Sequence, residues 1–346
     1  MRKTTIGVIG AGAVGKVHIE NIISAIPTAH LKHVADAFPD HYNEWARDLG
    51  YPLAEKDHSI MLKDPELEVV IICAPAALHG DLIIEAAKHG KHIFCEKPFD
   101  YNIDKIVEAM KEVEKAGVKL QLGFNRRFDK NFAKARNYID SGEVGDVHIV
   151  KLTSRDPIPP AIEYFTAPGG EHCSIYTDTT IHDFDMARFL NNSEVVEVFA
   201  TGSKLINKDN PIITRADTIA VILRFEDGSM ALIDNSWQAV YGYDQRAEVF
   251  GTNGTVTVEN DVFSQAVLHS AKGIIGEKPL VTIKDRYGDA YATEIREFIS
   301  AIQNDTTVKI TGKDGLYATV IAEAAKLSAA ENRIVKISEL LPKITY

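Results

Sequence analysis

Apolar and polar positions change rhythm once along this chain, near residue 123. Before that point, short apolar runs alternate with amphipathic stretches. Residues 4–9 predict a strand, 14–25 a helix and 31–35 a second strand. The apolar run at 68–74 predicts a strand covered on both faces. Residues 78–89 predict a helix stopped by Gly90, followed by a strand at 91–95. A helix at 104–115 ends near Gly117, and 119–122 is a further strand. Such β–α alternation predicts a Rossmann-type doubly wound parallel sheet.

Downstream the signals become antiparallel. Residues 218–225 and 229–237 flank Glu226-Asp227-Gly228, and 245–250 and 255–258 flank Thr252-Asn253-Gly254. Both tripeptides are hairpin turn sequences. Residues 147–153 and 195–201 also read as strands, 291–303 and 316–330 as helices. The expected organisation is α/β plus α+β. Residues 1–123 form the first domain. Residues 124–346 form the second, on a large, mostly antiparallel open sheet. The helix near 313–330 is a candidate to pack back on the first domain.

Composition narrows the partners. A length of 346 residues suits two domains. The net charge of −11 argues against nucleic acid and anionic membranes, which call for a basic face. Three widely spaced cysteines, Cys73, Cys95 and Cys173, predict reduced thiols and no disulfide framework. The short basic start lacks a signal-peptide pattern, and no apolar run approaches membrane-spanning length. A soluble cytoplasmic protein is expected.

Gly10-Ala11-Gly12-Ala13-Val14-Gly15 fits G-x-G-x-x-G between a predicted strand and a predicted helix. Gly10 permits the tight turn, Gly12 lets a pyrophosphate approach the backbone, and Gly15 lets helix and strand pack. The helix start offers unpaired N–H groups to the anion. Asp36 ends the second strand, where a carboxylate accepts from both ribose hydroxyls and repels a 2′-phosphate. Its neighbours, Ala37 and Phe38, are not arginine. NAD is therefore expected over NADP. Ala74, Pro75 and His79 follow the fourth strand; His79 either lines the dinucleotide groove or faces solvent.

Glu96-Lys97-Pro98 directly follows a strand pattern, and the proline keeps Lys97 extended. A lysine thus lies at the carboxyl end of a strand, where open α/β sheets hold ligands. Downstream, Asp178, His182 and Asp185 fall at i, i+4 and i+7 of a predicted helix, sharing one face. A carboxylate one turn before an imidazole suits a general base. An N-cap aspartate and a surface histidine would carry the same spacing. Arg126-Arg127 reads as a solvated or salt-bridged pair, and Tyr243 as a phenol in a polar pocket or, more often for a strand tyrosine, a packed residue. Glu171-His172-Cys173 lacks zinc spacing, so no metal is expected. No Gly-x-Ser-x-Gly elbow is present.

These segments resemble the glucose–fructose oxidoreductase/inositol dehydrogenase family, and most of all its inositol dehydrogenases. The resemblance covers nearly the whole chain. It rests on the glycine loop, Cys95-Glu96-Lys97-Pro98, Gly123-Phe124-Asn125-Arg126-Arg127-Phe128-Asp129 and Ser154-Arg155-Asp156-Pro157. The run from Asp178 to Leu190, Tyr241-Gly242-Tyr243-Asp244-Gln245-Arg246 and the helix at 291–302 match as well. It implies NAD-dependent oxidation of a ring hydroxyl, with myo-inositol going to an inosose. The resemblance also implies a catalytic group of Lys97, Asp178 and His182. Arg127, Asp156 and Tyr243 would add to the sugar-alcohol pocket, and Glu96 and Lys97 to the cofactor side. It further implies a homotetramer assembled through the second-domain sheet. Alternatives are scyllo-inositol or an aldose as substrate, or a dinucleotide-sensing regulator without catalysis. One departure is the stretch Glu171 to Thr177 after Gly169-Gly170, which is longer than the family pattern.

Overall fold

The computed structural model describes residues 2–166, 170–206, 208–209 and 215–341. Two compact units arise. One comprises the described residues within 1–128 and 288–319; the other comprises those within 129–287 and 320–341.

The first unit contains β1 (Thr4–Ile9), α1 (Ala13–Ser24), β2 (Ala29–Ala35), α2 (Asp40–Leu49), β3 (Ala54–Glu55) and α3 (Ser59–Leu62). It continues with β4 (Val69–Ile72), α4 (His79–Lys88), β5 (His92–Glu96), α5 (Ile103–Ala116) and β6 (Leu120–Gly123). The strands form one parallel sheet in the order β3-β2-β1-β4-β5-β6. The order reverses direction at β1/β4, which is where such sheets bind ligands. Every residue of β4 is buried, as its apolar run requires. Helix α5 shows why these segments stop and start where they do. Asn102 caps it by accepting from the Asp104 and Lys105 amides, and Gly117 ends it in the left-handed region. Ile6, Val8, Val34, Ile71 and Phe94 pack with Ile295, Phe298 and Ile299 from far down the chain. The first sheet is therefore completed by a helix encoded about 200 residues later.

The second unit opens with α6 (Lys130–Asp140), β7 (Val147–Arg155), α7 (Ile162–Thr166), α8 (Ile175–Asp178) and α9 (Thr180–Asn191). It then has β8 (Val195–Ser203), β9 (Thr218–Phe225), β10 (Met230–Ser236), β11 (Asp244–Gly251), β12 (Thr255–Val258), β13 (Leu268–Ser270) and β14 (Gly273–Ile275). Helices α10 (Ile283–Gln303) and α11 (Gly312–Glu331) each contribute residues to both units, and β15 (Val335–Lys336) closes the set. The sheet order is β12-β11-β7-β10-β9-β8-β15, antiparallel except for the β7/β10 pair. Strand β9 alternates buried and exposed residues along its length, so one face is covered and one is open. Helix α9 covers the sheet; ten of its twelve residues are buried.

Two expectations need correction here. The helix predicted to run on from Asp178 is interrupted: α8 ends at Asp178 and α9 starts at Thr180, with Thr179 between them in right-handed helical geometry. Asp185 is not accessible beside the partly exposed Asp178 and His182, because it is buried at 1% exposure. Helical spacing sets which residues share a face but not whether that face is solvated, and α9 is covered nearly all round.

Candidate functional site

The glycine loop is built for close approaches. Gly10 has φ +92°, and a Cβ there would lie 2.6 Å from the Cys73 carbonyl group. A Cβ on Gly15 would lie 2.1 Å from Gly10 O, so helix α1 can pack against β1 only without one. A Cβ on Gly12 would meet nothing within 4 Å. That open space lies at the N-cap of α1, which has no side-chain cap. The first N–H groups of the helix are thus available to a phosphate.

Asp36 closes the other side of the loop. Its Oδ2 accepts from the Ala11 amide at 2.7 Å and its Oδ1 from the Phe38 amide at 2.8 Å. Two backbone bonds fix the carboxylate, which retains lone pairs for ribose hydroxyls. Gly12, Ala13, Asp36, Lys16, Phe38 and His41 line a groove of about 420 Å³ here. Val14 is half-buried behind it. These residues fit a dinucleotide: an open cradle for the pyrophosphate, and an oriented acid for the ribose. A larger hollow of about 1020 Å³ is lined by Arg136, His148, Asp227 and Phe250. It includes neither the glycine loop nor Asp178 and His182, so size does not mark the chemistry.

Other groups of the first unit turn out differently. Glu96 is buried, accepts from the Lys97 amide at 3.3 Å and sits 2.7 Å from His18 Nε2. Its carboxylate is committed to the protein interior and is not offered to a cofactor. His79 is also buried, correcting the reading that it faces solvent. Its Nδ1 lies 2.7 Å from Pro98 O and its Nε2 2.8 Å from Ala74 O, so the ring braces two strand ends. Burial pulls its pKa down, and the two carbonyl contacts oppose that shift. Ala74 is half-buried and Pro75 exposed beside it. Lys97 is half-buried, and the Lys97–Pro98 peptide is cis. Arg127 gives its guanidinium to Asp314 at 3.0 Å, within the same unit.

In the second unit, polar residues missed by the sequence reading hold the Asp178–His182 turn. The Thr179 hydroxyl donates to Asp156 Oδ2 at 3.2 Å and accepts from Trp237 Nε1 at 3.0 Å. Asp156 is itself fixed by backbone bonds to Ser236 and Ala239. One helix turn on, the buried Asp183 accepts from Ser154 Oγ at 2.8 Å and Asn235 Nδ2 at 2.7 Å. Ser154 pairs with Asn235 and with Gln245 across adjacent strands. A row of polar side chains at buried strand positions was the available signal, since such groups must find partners. Ile181 and Asp183 are buried on either side of His182, which is left partly exposed, as is Asp178. Asp156 is thus tied through Thr179 to the turn that carries Asp178 and His182. Tyr243 is half-buried; its amide donates to Leu280 O at 3.0 Å and its ring meets Tyr287 edge-on at 6.0 Å. Of the stretch that departs from the family pattern, Gly169 lies outside the described residues.

Residues 4–124 match the oxidoreductase family with an NAD-binding Rossmann fold. Residues 132–257 match the GFO/IDH/MocA C-terminal domain. The chain is 40% identical to a myo-inositol 2-dehydrogenase of Thermotoga maritima over 97% of this chain and 99% of that protein. It is 41% identical to an inositol 2-dehydrogenase of Rhizobium meliloti, covering 96% and 98%. A scyllo-inositol dehydrogenase structure from Lactobacillus casei, with bound NAD(H) and scyllo-inositol, superposes with a TM-score of 0.87. That similarity is at 28% identity, over 97% of this chain and all of the other. The chain belongs to the GFO/IDH/MocA family of oxidoreductases. Its first domain is an NAD-binding Rossmann domain, as the loop and Asp36 anticipated.

Proposed function

We propose that this protein oxidises a ring hydroxyl of a cyclic polyol, with myo-inositol as the preferred substrate and NAD as the oxidant. The observation that carries this reading is the Asp178–His182 turn. Two partly exposed polar side chains stand one turn apart, beside a helix otherwise sunk into its sheet. The full-length likeness to enzymes named for inositol supplies the substrate class.

In this reading His182 takes the hydroxyl proton as the carbinol C–H bond breaks and the C=O bond forms. Asp178 orients the imidazole and stabilises its cation, or binds an adjacent hydroxyl of the polyol. Lys97 supplies positive charge to the developing alkoxide. Asp156, Tyr243 and Arg127 contribute to polyol binding, Asp156 through its hold on Thr179 and Arg127 in its Asp314-paired form. NAD, when bound, accepts the hydride released from the carbinol carbon. The glycine loop and Asp36 hold its pyrophosphate and ribose.

Scyllo-inositol is the second reading, favoured by the Lactobacillus casei likeness and by the unusual stretch before Asp178. A homotetramer and a cytoplasmic location belong to the same proposal. Exposed Ile222, Met230, Leu232 and Phe250 on the open sheet support the first. The free cysteines support the second. Among the described residues no helix is long and apolar enough to cross a membrane.

A polyol panel run with NAD and NADP in parallel, followed by NADH absorbance, tests the reading. Myo-inositol with NAD should give the highest kcat/KM. No turnover on any polyol, with NAD still bound, would point to a sensing role instead.

A further inference from the structure

One arginine holds the segment that leads into the helix ending at Asp178. Arg215 Nη1 donates to Gly170 O at 2.7 Å and also to Cys173 O, and Nη2 donates to Glu171 O at 2.7 Å. Three carbonyls of a four-residue segment thus share one guanidinium, a planar fork suited to such a clamp. The segment is closed from its other side as well. A Cβ on Gly170 would lie 2.6 Å from Phe165 O, so the chain passes there only as glycine.

Cys173 is followed at once by Ser174, which caps α8. Ser174 Oγ accepts from the Thr177 amide, and Thr177 Oγ1 accepts from the Ser174 amide, both at 3.2 Å. This reciprocal capping box fixes a helix of four residues whose last member is Asp178. Arg215 reaches from an anchored base. Two residues on, Asp217 accepts from the Leu205 and Ile206 amides and donates its own amide to Ser203 O. A continuous line of hydrogen bonds and covalent neighbours therefore runs from the Asp217 anchor through Arg215 and the 170–173 carbonyls to Asp178. This line passes through the very stretch that departs from the family pattern.

We propose that Arg215 is a positioning residue that sets selectivity among cyclic polyols by holding segment 170–173, and with it Asp178, in one arrangement. The inference rests on the reading of Asp178 as the group that orients imidazole and substrate. Glu171 and His172 are exposed, so water can replace part of the clamp when the guanidinium is removed. Loss of Arg215 should loosen the segment and leave the fold standing.

The test compares wild type, Arg215→Ala and Arg215→Lys for KM and kcat on myo- and scyllo-inositol, KM for NAD, and melting temperature. Arg215→Ala should lose about 10- to 100-fold in kcat/KM for the preferred polyol, mainly through KM, while KM for NAD stays within about twofold. The ratio of the two polyols should shift, and Arg215→Lys should fall between. Free guanidinium at a non-denaturing concentration should restore part of the loss in Arg215→Ala. An unaltered polyol ratio in Arg215→Ala overturns the assignment. An equal loss toward both polyols with a lowered melting temperature does the same, since it marks a general folding role. A wild type inactive on all polyols defeats the underlying reading, whereas an active wild type with a normal Arg215→Ala variant defeats only the role of Arg215.

Discussion

Glu294 shows how much one buried side chain can weigh. It is fully buried, neither carboxylate oxygen has a hydrogen-bond partner, and it belongs to a compact cluster with His18 and Glu96. Cys73, Cys95, His79 and Tyr291 are among the titratable groups close to this cluster. The 2.7 Å contact between His18 and Glu96 is a hydrogen-bond length. Burial pushes the Glu294 carboxyl well above its ordinary 4.5, and the Glu96 charge adds to the shift. Folded Glu294 therefore keeps a proton that the unfolded chain has released above pH 4.5. The associated stability is present in full below that value and declines as pH rises toward the folded pKa. Glu294→Gln has no such proton to lose. Its stability advantage over wild type should grow with pH, by at most about 1.4 kcal/mol per unit. Denaturant unfolding from pH 5 to 8 measures this; parallel curves for the two proteins would mean that Glu294 is ionised in the fold. For catalysis, His182→Ala and Lys97→Ala should each lower kcat by about 10²- to 10⁴-fold. NAD should still bind both variants in a titration, since the glycine loop and Asp36 are left intact. Near-normal turnover in both would remove them from the reaction. The glycine loop and Asp36 were legible because their partners are local: Asp36 contacts Ala11 and Phe38. The contacts of Glu96 with His18 and of Arg127 with Asp314 were not legible, because the partners lie 78 and 187 residues away.

Helix α9 is the element on which the proposed chemistry depends. Three side chains from two strands and one helix, Ser154, Asn235 and Asp183, tie it to the sheet. Asp183→Ala would remove the shorter acceptor of Ser154 and of Asn235 in the core, leaving them Gln245 Oε1 at 3.3 Å and Thr180 Oγ1 at 3.1 Å. A cost of about 1–3 kcal/mol is expected, with a fall in kcat because His182 is the preceding residue. Thermal unfolding and steady-state kinetics on the same sample check both halves of this expectation. An unchanged melting temperature would show that the network does not hold the helix. Periodicity could place a helix here, but it could not reveal the break at Thr179. At that break the Thr179 hydroxyl donates to Asp156 and accepts from Trp237, and neither is near it in sequence.

At the scale of the whole molecule, the open sheet face carries the remaining expectation. Ile222 pairs with Leu232, and Met230 and Phe250 both pair with Ile149, so exposed apolar groups lie side by side across β9, β10, β7 and β11. A contiguous apolar patch of this kind marks an interaction surface. Leu232→Arg should convert the proposed tetramer to a smaller species without loss of the monomer fold. Sedimentation velocity with circular dichroism would register it. A wild type that already sediments as a monomer would end the oligomer proposal.

The sequence alone determined the sheet of the first domain, its cofactor loop, the hairpins of the second domain and the one-turn spacing of Asp178 and His182. Each is written in short-range periodicity or turn chemistry, where a residue's neighbours in sequence are also its neighbours in space. Tertiary structure alone decided which charged groups remain available. It turned Glu96 and His79 inward, gave Arg127 to Asp314, buried Asp185 and set Arg215 against the segment before Asp178. A buried polar group must find a partner wherever the fold brings one, and sequence distance places no limit on that search.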